Sequence, residues 1–309
     1  MDSSVGRWLG RCSRAQVAAR AANLRGYDMA NVQVVTDSMC GIPAALCQEL
    51  GIAVVPLPLF MDDHTYLDGE ISPKKFYSRL RSKRSLPTTS GPTPGSFKEV
   101  FETLGADGSP VLAILVGSQF SSTFSAASQA KGMSSNVGVT LFDSGSNTLG
   151  MGFMAIAAAR AAREGMSLVD ILDLLDRMKE STGVIFAVSD LDYLRRGGRI
   201  SHIGQLIATT LRQVPILEIR NGPIQPVERV RGGASVLPKL VELVTERVGE
   251  RRPLRVGVVH TDAEAMAFEL AKQAREQLRP DELITSELTP VLGIHTGPDA
   301  VGLVYSTGT

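Results

Sequence analysis

The sequence predicts an α/β protein of two domains, with an N-terminal, mostly parallel sheet and flanking helices followed by a second α/β domain. Three observations predict it. Apolar runs of strand length alternate with helical patterns, and Val111 to Val116 is a continuous β-branched and aliphatic run suited to a central parallel strand. Asp-Ser turns close two such runs, VTDS at 35–38 and LFDS at 141–144. The length of 309 residues exceeds what one small core organises. We therefore expect a disordered extension over 1–30, a domain over 31–165 and a second over 166–309.

Val32, Val34 and Val35 form the first predicted strand, and Asp37 or Ser38 caps the turn after it. A short helix over 42–50 has Pro43 in its first turn and ends at Gly51. A strand is expected over 53–60, at an edge or bulge because of Pro56 and Pro58. Ser72 followed by Pro73 starts a helix; the loop PTTSGPTPGS comes next at 87–96, and a helix runs over 95–104. A second hydroxyl-rich loop, GSQFSSTFS at 117–125, leaves the central strand and leads into a helix over 122–133. A strand over 137–142, helices over 148–163 and 167–182 and a strand over 184–188 precede the polar loop LDYLRRGGRIS. A helix over 202–212 leads to a hairpin about Asn221 and Gly222, with strands over 215–219 and 224–228. Helices over 236–248 and 263–278 and strands over 255–260, 283–288 and 301–305 complete the chain.

Thirty-two basic and 32 acidic residues cancel, so the charge pattern of a dedicated nucleic-acid or anionic-membrane binder is missing. Three cysteines without metal or CxxC spacing indicate a reduced, cytoplasmic protein. No run reaches the roughly 18 apolar residues that span a bilayer, so a soluble protein is expected. Residues 1–28 carry Arg7, Arg11, Arg14, Arg20 and Arg25 against Asp2 and Asp28 and lack the apolar stretch of a signal peptide.

The two hydroxyl-rich loops place Ser and Thr side chains among prolines that fix the backbone and glycines that admit a ligand closely, which suggests an oxygen-rich ligand group. Ligands of open α/β sheets sit outside the carboxyl ends of strands, so both loops and both Asp-Ser turns are expected on one rim. Gly150, Gly152 and Ala155 match GxGxxA, but they lie well past the turn after Phe142, so close helix packing is expected rather than a dinucleotide. No metal or other cofactor is expected, since His64, His202, His260 and His295 are scattered. His260 reads as structural, whereas His295 stands in the glycine-flanked loop GIHTGP, free to meet a ligand. Arg195, Arg196 and Arg199 surround Gly197 and Gly198, either as a solvated turn or as a phosphate or partner contact, for which a guanidinium is suited. Asp37 and Asp143 read as turn formers and caps more readily than as general bases.

VTDSMCGIP, VVPLPLF, YLDGEIS, TTSGPTPGSF, LVGSQFSSTFSAA, LFDS, LRRGGRIS, PIL with NGPI, and GIHTGPDAVGLVY stand in the order and spacing of the DegV family, which the chain resembles from about Val32 to Tyr305. The resemblance implies a two-domain α/β fold that binds a long-chain fatty acid in an apolar tunnel. It also implies a non-catalytic, bacterial role as the FakB-type subunit that presents the acid to a fatty acid kinase. Such a carrier is expected to be a monomer with only transient membrane contact and no nucleic-acid partner. Two other classes stay open, a Ser/Thr-nucleophile hydrolase and a regulatory module without lipid.

By the same resemblance, Thr89 and Ser90 match a TSQP-type loop whose hydroxyls hold the carboxylate. Ser118, Ser121 and Thr123 fall in the serine-rich loop, and His295 falls on the histidine of a GxHxGPG-like segment. Arg199 matches the GGRI arginine and, with Arg196, is a candidate for meeting the kinase or the new acyl phosphate. Gly91 departs from the family's usual Gln, and Gly117 with Gln119 departs from its Ser-Ser-Gly run. A carboxylate held by hydroxyls alone is incompletely compensated, so the acid is expected to bind protonated or beside a charged His295.

Overall fold

The structure is a computed structural model and describes residues 32–82, 87–200 and 213–308. The expected extension over 1–30 and the helix over 202–212 lie outside the described residues.

The first sheet is parallel throughout, because each strand returns through a helix. Its strands are β1 (Gln33–Asp37), β2 (Ala53–Val55), β6 (Val111–Leu115) and β7 (Val139–Asp143), in the spatial order β2-β1-β6-β7. Every residue of β6 is buried, as its unbroken apolar run requires of a central strand. The strand expected over 53–60 is split. Pro56 cannot donate to a ladder, so the chain leaves the first sheet after Val55 and enters a small antiparallel sheet of β3 (Pro58–Met61), β4 (His64–Leu67) and β5 (Thr88–Thr89). Thr88 and Thr89 are therefore in a strand and not, as expected, in a loop. Helices α1 (Ala44–Leu50), α2 (Pro73–Arg81), α3 (Pro94–Leu104) and α4 (Thr123–Met133) accompany these strands. Ser72 caps α2 and Thr93 caps α3, each through its hydroxyl and with proline in the first turn.

The central element is α5 (Thr148–Arg163), buried almost all round and packed on β1 and β6 on one side. Its other side meets the second sheet, of order β10-β9-β8-β13-β11-β12. The strands are β8 (Thr182–Ala187), β9 (Gln213–Ile219), β10 (Gln225–Arg231), β11 (Leu254–Thr261), β12 (Glu282–Glu287) and β13 (Ala300–Thr307). This sheet is antiparallel except for β11 and β12. The GxGxxA glycines lie within α5 and serve packing. A Cβ on Gly152 would stand 2.5 Å from the Cys40 carbonyl oxygen, and one on Gly150 would stand 3.2 Å from Val184. One apolar core runs through both sheets, joining Ile114 and Phe142 to Phe186, Leu217 and Val304.

Helices α6 (Leu168–Ser181), α8 (Val236–Val248) and α9 (Glu264–Leu278) lie where the apolar spacing puts them. Two helices stand where loops were expected. Asp190 caps α7 (Leu191–Arg196) inside LDYLRRGGRIS, and Pro290 opens α10 (Pro290–Thr296), which carries His295. Among the described residues no helix is long and apolar enough to cross a membrane.

Candidate functional site

The carboxyl ends of β1, β6 and β7 are adjacent, as parallel pairing demands, and their acids organise the rim. The Asp37 carboxylate accepts from the backbone N–H groups of Met39 and Val116 at 3.0 and 2.8 Å, and burial pushes its pKa up to about 6. Asp143 accepts from the Ser118 N–H, the Ser118 hydroxyl and the Gly145 N–H at 3.2, 2.6 and 3.0 Å. Both acids hold turns, as their positions after strands suggest.

A cavity of about 290 Å³ opens beside this rim. Its apolar wall includes Leu57, Phe120, Phe186, Leu194, Ile224 and Leu292, and its polar lining includes Thr89, Ser90, Ser121, Arg199 and His295. An outer cavity of about 320 Å³ shares Thr89, Arg199 and His295 and adds Leu80, Tyr193 and Arg196. A third, of about 30 Å³, shares Asn147, Phe186, Leu292 and Thr296 with the first. The three sharing residues Thr89, Arg199 and His295 thus stand at the junction of the two large cavities.

His295 Nε2 lies 3.1 Å from Thr89 Oγ1, while Nδ1 is buried without a partner among the described residues. Burial, reinforced by the Arg199 charge, pulls the imidazole down to about 4, so the ring is neutral at pH 7. The ring fits because residue 197 is glycine: a Cβ there would stand 2.4 Å from His295 Nδ1. Arg199 is half-buried and hydrogen-bonds the backbone carbonyls of Phe120 and Gly197, and burial lowers its pKa. Among the described residues it has no carboxylate partner.

Arg195 and Arg196 differ from it, because Asp192 on α7 pairs with both at 2.6 Å, and of the two Arg196 borders the outer cavity. The Ser121 and Thr123 hydroxyls lie 2.7 Å apart; Ser121 reaches the cavity, and Thr123 is fully buried behind it at the start of α4. Ser118 is turned onto Asp143 and lines none of the three cavities. Gly91 sits against the serine-rich loop, where a Cβ would come 2.7 Å from Ser122 Oγ. Gln119 folds over Gly117 and donates to the carbonyls of Gly145 and Gly222 at 3.0 and 3.1 Å, tying the rim to the β9–β10 hairpin. His260 is buried and lies 3.4 Å from the Ala263 N–H, a structural position.

Sequence reasoning missed Asn147, Tyr193 and Thr296 as lining residues. Asn147 was legible only as a residue before a helix, and Tyr193 only as part of a polar loop.

Comparison with known proteins agrees with this architecture. The family model described as "Uncharacterised protein, DegV family" matches residues 31–308. Protein DegV of Bacillus subtilis is 33% identical over 277 residues, covering 89% of this chain and 99% of that protein. A DegV domain-containing protein of Streptomyces coelicolor is 33% identical, over 90% of this chain and 99% of its own. Among solved structures, a fatty-acid-binding DegV family protein from Thermus thermophilus superposes with a TM-score of 0.86 at 28% identity, covering 90% of this chain and all of that one. DegV of Bacillus subtilis, a fatty acid binding protein, gives 0.83 at 33% identity, with 91% and 100% covered. The parallel sheet, the second sheet and the extent of these matches place the chain in the DegV family.

Proposed function

We propose that this protein binds a long-chain fatty acid, with its tail in the apolar cavity and its carboxylate at Thr89, Arg199 and His295, flanked by Ser90 and Ser121. One observation carries the reading. A half-buried guanidinium that pairs with no carboxylate among the described residues stands beside a neutral imidazole and a hydroxyl, where an apolar cavity ends. An anion is the group this corner lacks. Arg199 therefore supplies the charge that hydroxyls alone leave missing, and Ser118 and Thr123 support the loop from behind. The Thermus and Bacillus relatives are fatty-acid-binding proteins, which favours the same ligand here.

Energetics divide the work between tail and head. Burying about 14 methylenes at about 0.8 kcal/mol each gives roughly 11 kcal/mol before ordering and association costs. A charge-assisted hydrogen bond adds about 1.5–3 kcal/mol. The tail supplies affinity and the head fixes direction. The outer cavity reaches the same three residues, so a second protein could approach the carboxyl from outside. This arrangement favours presentation to a fatty acid kinase, with Arg196 at the approach.

The Thr89 and His295 pair also suits a nucleophile and its base. That reading lacks the third group. Nδ1 has no acid to orient it among the described residues, and a neutral imidazole far from titration at pH 7 is a weak base.

Extraction of the denatured, purified protein followed by mass spectrometry tests the proposal. A bound C16–C18 acid is expected, and reloading with stearic acid should restore it. An empty protein that also fails to take up stearic, oleic or palmitic acid in calorimetric titration sinks the proposal.

A further inference from the structure

The inner end of the tail cavity is not purely apolar. Asn147 precedes α5, and asparagine is among the best residues for capping a helix through its side chain. Here it makes no cap bond; Asn147 lines both the inner and the smallest cavity, and its Oδ1 is buried without a partner among the described residues. Thr148, the first residue of α5, is only 4% exposed, lines the smallest cavity, and has a buried Oγ1 that likewise has no partner among the described residues. It also holds φ at +47°, a conformation a β-branched residue rarely adopts. The walls around this pair are hydrocarbon, including Val184, Phe186, Ile219 and Val259.

We propose that the start of α5 is a second polar subsite, which takes a hydroxyl carried partway along the acyl tail, so that the ligand class is a hydroxy fatty acid. The inference rests on the fatty-acid reading above and narrows it. An unsubstituted alkyl tail would leave both oxygens dry and unpaired. A hydroxyl donates to Asn147 Oδ1 and accepts from the Thr148 hydroxyl, so one group satisfies both. The chamber of about 30 Å³ has room for one water-sized group and little else. A hydroxyl is that size, and the chamber adjoins the larger cavity, with which it shares four lining residues.

The test is competition binding of stearic acid against 3-, 10- and 12-hydroxystearic acids, on the intact protein and on Thr148→Val and Thr148→Ser. The intact protein is expected to favour at least one hydroxy isomer about fivefold or more, the worth of one neutral hydrogen bond. The preference should collapse to near unity in T148V and persist in T148S, which keeps the hydroxyl. The inference is overturned if the intact protein holds stearic acid as tightly as every hydroxy isomer, the result expected of a fixed water only. It is also overturned if a folded T148V retains the preference. Should T148V fail to fold, the selectivity of the intact protein and of T148S decides. If neither stearic nor hydroxystearic acids bind, the fatty-acid reading itself fails; if stearic acid binds without hydroxyl preference, only the present inference falls.

Discussion

Thr89 and His295 are 206 residues apart in sequence and meet at 3.1 Å between Oγ1 and Nε2. The contact joins the small sheet to α10, and its electrostatics give the protein a defined pH response. In the folded chain the imidazole charges only near pH 4, against 6.5 for the free side chain. Between those values the unfolded state binds the extra proton, so stability falls as pH drops from about 6.5 towards 4. This share amounts to at most about 3 kcal/mol. Urea unfolding of His295→Gln at pH 7 and 4.5 should show a smaller loss than the unsubstituted chain; an equal loss would show that His295 is not the group responsible.

Asp37 responds in the opposite sense. Its carboxyl is raised from 3.8 to about 6, so the folded state keeps a proton that the unfolded state has released, and this contribution is lost as pH rises through that window. Asp37→Asn presents an amide N–H₂ towards one of two backbone N–H donors and should destabilise by about 1–3 kcal/mol at pH 4. Its deficit should shrink at pH 8, where the native carboxylate is charged and buried. A deficit that grows with pH contradicts this.

Arg199→Met removes a half-buried charge whose hydrogen bonds go to carbonyls. Stearic acid affinity should drop at least about tenfold, as loss of a charge-assisted bond implies. The melting temperature of the empty protein should hold or rise. Unaltered affinity in calorimetry would remove Arg199 from the carboxylate site.

Gly197→Ala tests the imidazole pocket from behind. The backbone at 197 is in the right-handed helical region, so alanine meets no conformational barrier, yet its methyl would occupy the place of His295 Nδ1. The displaced ring should leave Thr89 and titrate closer to 6.5, read by NMR of the imidazole protons. A ring that still titrates near 4 would mean that the pocket yields elsewhere.

Gly91 and Ser122 should behave as a coupled pair. Gly91→Ala puts a methyl 2.7 Å from Ser122 Oγ and should cost about 1 kcal/mol or more; adding Ser122→Gly should recover part of it. Additive effects in chemical unfolding would show that the two loops do not press on each other. This close contact leaves no room for a longer side chain at 91 without movement of the serine-rich loop.

Much of the fold was legible because local signals agreed with the tertiary outcome. Helix α5 has the bounds that its alanine-rich pattern predicts, and α8 ends where its apolar spacing does. Helix α10 was hidden although Pro290 stands at its start, since two glycines and a histidine in a short segment read as a loop. Its order comes from packing, with a Cβ on Gly293 placed 2.3 Å from the Tyr77 hydroxyl. Thr89, Ser90, Ser121 and His295 were named from sequence and share one cavity. The inward turn of Arg199 was not legible, because three arginines look alike in sequence and only Asp192, by pairing with the other two, separates them. The cavity itself needs side chains from the small sheet, the serine-rich loop, the second sheet and α10, and no local pattern encodes that.

Because Thr89, Arg199 and His295 belong to separate stretches of chain, an anion seated among them acts as a noncovalent staple across most of the polypeptide. Loaded copies would then outlast vacant ones under proteolysis, since anything that binds only the native state depletes the unfolded one. The abundance of this protein in a cell would thereby become a readout of how much of its cargo is at hand.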